Sequence, residues 1–169
     1  MPEALIVVSD SSPLISLHAI GRLDLLRSVF GKVLVPDMVR AEVERGGPAG
    51  LSLAAIDWIE VRAVSDLVLL AEFERTSLDA GEAAALALAI ELHADFLLVD
   101  ERAARRVATQ RGLRVVGLLG VLVAAKRSGA LREIRPLIEA MRRQVGVRAS
   151  ERLVREVLDS VGESADGEP

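Results

Sequence analysis

The hydrophobic pattern of this chain alternates between short unbroken apolar runs and longer stretches with apolar residues three and four apart. The runs "LIVVS" (5–9), "KVLV", "WIEVRAV", "DFLLV" and "LRVVG" read as strands. The third alternates apolar and polar residues, which marks it as peripheral and places Trp58 close to the core. Helices are predicted between them. "SSPL" opens the first, with Ser11 or Ser12 as N-cap and Pro13 in the first turn. "RLDLLRSVF" runs to Gly31, and "PDMVRAEVERGG" closes at Gly46 and Gly47. "DLVLLAEFERTS", "AGEAAALALAIELH", "ERAARRVATQRG" and "LLGVLVAAKRSG" follow in the same rhythm. "LREIRPLIEAMRRQ" and "SERLVREVLDSVG", the latter capped by Ser150, complete the helices. No repeat or linker divides the chain. One domain is predicted over 1–160, with a core at 4–125, a helical extension at 126–160 and a disordered tail at 161–169.

Strands alternating with helices predict a parallel sheet covered on both faces. Right-handed crossovers bring parallel strands out at one edge, where α/β proteins bind their ligands. Two runs end in acids at that edge: the first reaches Asp10 and the fourth reaches Asp100 and Glu101. Asp10 and Asp100 are expected side by side. Glu42, near the inward face marked by Val39 and Val43, competes for the same place. So does Glu82, in the first turn of the Ala-rich helix that leads to Asp100.

Each acid also has a local, structural use. Asp10 suits a cap on the helix beginning near Pro13, and Glu42 suits a solvated surface. Asp79 and Glu82 fit a capping box, while Asp100 and Glu101 favour the N-terminus of the next helix. Taken together they point elsewhere, because like charges at one site repel unless a cation neutralises them.

Composition narrows which cation. Cysteine is absent, which excludes disulfides, thiolate catalysis and cysteine-bound zinc. The only histidines, His18 and His93, lie in or at the ends of helices, so a zinc site would lack ligands. Hard carboxylate oxygens suit Mg²⁺ or Mn²⁺. Such ions most often handle phosphate, activating water and stabilising the leaving oxygen of a phosphodiester. The net charge of −4 argues against simple electrostatic binding of nucleic acid. Yet all of the 21 basic residues except Lys32 and Lys126 are arginine, which grips phosphate bidentately. Arg102, Arg105 and Arg106 open the helix after Asp100 and are candidates for phosphate contact. Aromatics are only 2% of the chain, leaving Leu, Val, Ile and Ala to pack the core. The longest apolar stretches, 83–90 and 121–125, fall short of a ~20-residue bilayer span. No basic leader precedes 4–8, so a soluble, cytoplasmic protein without membrane contact is expected.

At these residues the chain resembles the PIN-domain family, over about residues 4 to 125. "SDSSPLI" with Asp10 matches the family's acid and small hydroxyl residues after strand one. Glu42 in "VPDMVRAEV", Glu82 in "LDAGEAAALALA" and Asp100 in "LLVDERAAR" match its other acids in order. Leu98 stands where many members carry Thr, and Glu101 where a PIN-like subgroup often has a second Asp. Ser11 or Ser12 is placed to supply the missing hydroxyl.

The resemblance implies a three-layer α/β/α sandwich with a central, mainly parallel sheet and a C-terminal helical extension. It implies a Mg²⁺- or Mn²⁺-dependent endoribonuclease, the toxin of a toxin–antitoxin pair. Asp10, Glu42, Glu82 and Asp100 would be the catalytic metal ligands, with Glu101, Ser11 and Ser12 as additions. RNA, an antitoxin protein and a second copy in a homodimer are the implied partners. The apolar "GLLGVLVAAK" helix is the expected surface for that second copy.

A catalytically silent PIN-like module that binds RNA or protein is the main alternative. A phosphoacceptor domain would need a lysine ending a core strand, which is missing here. Dinucleotide binding fails because "GLLG" lacks the third glycine and follows a late strand.

Overall fold

The computed structural model describes residues 3–46 and 51–164. Its strands are β1 (Val7–Ser9), β2 (Val33–Pro36), β3 (Ile59–Arg62), β4 (Phe96–Leu98) and β5 (Val115–Val116). They form one parallel sheet in the order β3-β2-β1-β4-β5. The chain winds outward from β1 to β3, then returns to lay β4 on the other side of β1. That reversal opens a crevice at the carboxyl ends of β1 and β4, the place where parallel sheets bind ligands. Register is direct there: Val7, Val8 and Ser9 pair with Phe96, Leu97 and Leu98.

The helices are α1 (Ser11–Ala19), α2 (Asp24–Phe30), α3 (Asp37–Gly46), α4 (Leu67–Glu74) and α5 (Ala80–Glu91). After them come α6 (Arg102–Gln110), α7 (Leu118–Arg127), α8 (Arg135–Val145) and α9 (Glu151–Ser160). Alternation along the strands feeds two cores. Val7 and Leu98 pack with Leu14, Leu25, Leu122 and Ile138 on one face. Val8 and Leu97 pack with Phe73, Leu86 and Leu88 on the other. The result is a three-layer α/β/α sandwich with an all-parallel sheet. Helix α5 is buried from Gly81 to Ala89, and its alanines let it lie close against the sheet. Strand β3 takes the edge, as its alternation predicts, with Trp58 half-buried beside it. The first strand is shorter than 5–9, since Leu5 is exposed.

In α7 four residues of the apolar run, Leu118, Val121, Leu122 and Ala125, are buried in the protein's own core, and Leu119 and Val123 are half-buried. The most exposed large apolar side chains among the described residues are Leu67 and Val68 on α4, 67% and 83% exposed. No helix among the described residues is long and apolar enough to cross a membrane.

Ser150 caps α9 as expected, its hydroxyl accepting from the Leu153 amide at 3.1 Å. The disordered tail expected over 161–169 does not hold for its first part. Both carboxylate oxygens of Glu163 accept from the buried Ile134 amide, at 2.9 and 3.0 Å. Lys126 lies 3.4 Å from the same carboxylate, and Arg135 donates to the Glu163 carbonyl at 2.7 Å. These polar contacts leave no trace in the hydropathy pattern. Residues 165–169 lie outside the described residues. Glu163→Ala is expected to cost about 1–3 kcal/mol, because it leaves the Ile134 amide buried without its acceptor. A urea titration checks this, and an unchanged midpoint would show that the latch does not stabilise the extension.

Candidate active site

Asp10 follows β1 directly, and its amide donates to the Leu98 carbonyl of β4 at 3.0 Å. The residue is only 2% exposed. It occupies the N-cap position of α1, yet its side chain makes no capping hydrogen bond. Ser11 and Ser12, the expected caps, are instead the first two helical residues. Asp10 Oδ1 is buried without a hydrogen-bond partner among the described residues. Folded proteins leave few such atoms, because each costs the desolvation of a polar group. Burial pushes the Asp10 carboxyl up to about 7, against the pull of the Ser11 amide, and Asp79, Glu82 and Glu42 push the same way.

Glu82 completes the capping box that the sequence suggests. Its amide donates to Asp79 Oδ1 at 2.8 Å, and the Asp79 amide donates to Glu82 Oε2 at 3.0 Å. The structural role is therefore real, but it engages one carboxylate oxygen. Burial raises the Glu82 carboxyl, the Asp79 amide opposes this, and the charges of Asp79, Glu101 and Glu42 add to it. Glu42 reaches the same place from α3. Its carboxylate lies over Gly81, where a β-carbon would sit 2.7 Å from Oε1. Only a glycine at this point of α5 admits the Glu42 head group.

Asp100 does something else. Its Oδ1 accepts from the Leu118 amide at 2.8 Å, so it caps α7 rather than α6. The reason is local: Gly117 holds the N-cap position of α7 and has no side chain to serve that amide. A β-carbon at Gly117 would sit 3.1 Å from Asp100 Oδ1 and 2.9 Å from Arg105 Nη1. The glycine thus leaves room for both groups. Burial raises the Asp100 carboxyl, the Leu118 amide and Arg105 lower it, and Glu101 raises it again. Glu101 itself is exposed at the N-cap position of α6 and caps nothing.

The backbone expectation therefore holds, and the side-chain expectation needs correction. Asp10 and Asp100 leave neighbouring strands at one edge, but their carboxylates have different company. Asp10 feels Asp79, Glu82 and Glu42, and Glu82 feels Asp79, Glu101 and Glu42, while Asp100 answers to Leu118, Arg105 and Glu101, so Glu101 is the one acid common to both sides. Among the described residues no three acidic or histidine groups stand close enough to hold a metal ion. The roles of Gly81 and Gly117 are what the sequence reading passed over. A glycine preceding a helix that has no other cap was the available signal for the last.

The donor chemistry nonetheless fits a hard cation. Asp10 offers a buried oxygen that nothing else uses, among acids whose repulsion a cation would relieve. Ser12 lies beside the site on a broad groove that also reaches Asp100, Glu101 and Arg105. A second depression holds Asp100 with Arg102, Arg105 and Arg106. A model of a family described as PIN domain matches residues 6–163 of the chain. None of the curated proteins compared with it matches.

Proposed function

Because the chain belongs to the PIN-domain family, whose members are generally nucleases, we propose that it is a Mg²⁺- or Mn²⁺-dependent endoribonuclease. The observation that carries this reading is Asp10: a buried carboxylate at the switch point of the sheet, with an unpartnered oxygen and three acids around it. Asp10 would anchor the ion, and Glu82, Glu42, Asp100 and Glu101, which are not gathered closely enough in this structure to hold it together, would draw in around it. When bound, it would supply an activated water and stabilise the leaving oxygen of the phosphodiester. The chain's own groups orient the strand. Arg102 and Arg105, exposed on α6 beside Asp100, face the phosphates, and Ser11 and Ser12 line the head of α1.

The same reading makes the protein a cytoplasmic toxin held by an antitoxin protein. A homodimer belongs to it, with Leu67 and Val68 as apolar surface for a second copy to cover. A neighbouring small reading frame encoding a DNA-binding fold would support the toxin role.

A second reading, a catalytically silent module binding RNA or protein, is favoured by the position of the Asp100 carboxylate on α7. One experiment separates the two. Purified protein incubated with single-stranded RNA is expected to cut it with Mn²⁺ or Mg²⁺ and to leave it intact in EDTA. Intact RNA under both conditions, across substrates of mixed sequence, would leave the silent module standing and remove the nuclease.

A further inference from the structure

The C-terminal extension has no role in the chemistry described so far. It does have a place beside it. The groove that touches Asp100, Glu101 and Arg105 continues along the outer face of α7, past Leu119 and Val123, to Arg127. Its far wall is the α8–α9 connector at 145–149, with Arg148, followed by Leu153 and Val157 of α9. At about 1260 Å³ it exceeds the usual ~300–1,000 Å³ of a small-molecule pocket. From Leu118 to Arg127, helix α7 alone covers about 14 Å of its length. The space suits a chain-like ligand.

Its chemistry is equally divided. The apolar part of the lining includes Phe30 and Phe96, their ring centroids 6.0 Å apart, with the Arg114 guanidinium 4.9 Å over the Phe96 ring, in a chain with only three phenylalanines. The rim carries Arg105, Arg127 and Arg148, all exposed. None of the three pairs with a carboxylate within 4.0 Å among the described residues, whereas Arg22, Arg62, Arg111 and Arg142 all do. Apolar lining and cationic rim match the base faces and phosphates of a single strand. A duplex buries those faces and offers mostly phosphate and hydroxyl groups.

The second depression settles the direction. It holds Arg102, Arg106, Thr109 and Gln110 on α6, and it shares Asp100 and Arg105 with the groove. The two therefore meet at Asp100 and Arg105, beside the candidate active site. A partner helix would need only the groove, but a strand cut at the acids must leave on both sides.

We propose that the connector at 145–149 and α9 form one wall of a channel for single-stranded RNA. Arg127 and Arg148 grip the backbone on one side of the scissile phosphate, and Arg102 and Arg106 grip it on the other. For its ligand class this rests on the ribonuclease reading above, but it assigns binding, not cleavage, to the extension.

Binding to an uncut strand tests it. Full-length protein in EDTA is titrated into a fluorescein-labelled 12-nucleotide RNA and followed by anisotropy over a range of salt. The double variant Arg127→Ala, Arg148→Ala is expected to bind at least about tenfold more weakly. Its log–log salt slope should fall by roughly 1.4, about 0.7 for each lost phosphate contact. Arg132→Ala with Arg143→Ala, two exposed arginines outside the groove, should bind like the parent. Unchanged melting temperatures establish that the variants fold. Equal binding by parent and groove variant, equal loss in both double variants, or no RNA binding by the parent would overturn the channel. So would polyglutamate of similar length competing as well as RNA, since the rim would then be a docking site for acidic protein. RNA binding that is groove-dependent without any metal-dependent cleavage would keep the channel and sink the nuclease.

Discussion

Asp10→Asn is expected to lower metal-dependent RNA cleavage by about a thousandfold while making the metal-free protein more stable above neutral pH. Both halves follow from one buried carboxylate. In the fold the Asp10 carboxyl titrates at about 7, above its ordinary value of 3.8, chiefly because it is buried. Between those values the folded protein holds a proton that the unfolded chain has released. Stability of the metal-free protein must therefore fall as pH rises from about 4 to about 7, then level off, by an amount up to about 4 kcal/mol. Asparagine carries no charge and escapes this loss. Thermal melts of parent and variant across pH 4–8, in EDTA, should diverge as pH increases.

Added Mn²⁺ should reverse the order. An ion bound only by the folded parent adds about 2.7 kcal/mol at a hundredfold excess over its dissociation constant. The variant, lacking a ligand, should gain far less. A cap or other purely structural role for Asp10 predicts lower metal-free stability in the variant and no difference in the response to metal. An identical Mn²⁺ shift in both proteins would mean that Asp10 does not bind the ion. The nuclease reading would then lose its chemical basis.

Gly81→Ala should separate activity from stability in the opposite manner, without touching any acid. Alanine is the better helix former by about 1 kcal/mol, and α5 is helical at this position. The new β-carbon, however, would sit 2.7 Å from Oε1 of Glu42. Glu42 is half-buried at the end of a flexible side chain, so it can move aside at small cost. The variant is expected to fold with stability within about 1 kcal/mol of the parent. Its cleavage rate should nevertheless fall about ten- to a hundredfold, since the Glu42 head group is displaced from the acids it faces. Activity equal to the parent would place Glu42 outside the working site. A large loss of stability would instead show that the Glu42 carboxylate cannot yield, making it a structural part of the α3–α5 contact.

Glu82 and Asp100 show how far a motif carries. The capping box at Asp79 and Glu82 was legible because its two hydrogen bonds span three residues, within reach of a local pattern. The acids at the ends of apolar runs were legible too, since a buried strand stops where the sheet meets its open edge. What Asp100 does with its carboxylate was not. Its partner, the Leu118 amide, is 18 residues away, and a glycine before α7 is what leaves that amide free. The Glu163 latch is the same kind of case, a carboxylate bound to an amide 29 residues earlier.

By itself, then, the sequence determined the alternation of strands and helices, hence the parallel sheet, both cores and the edge where Asp10 and Asp100 emerge. Periodicity does this because burial acts on every residue according to its neighbours along the chain. The tertiary structure alone decided which carboxylate oxygens are satisfied and which is left bare. It turned Asp100 toward α7, let Glu42 settle on Gly81 and left Asp10 Oδ1 without a partner. Those outcomes depend on distances of a few ångströms between segments far apart in the chain, and a one-dimensional pattern holds no record of them.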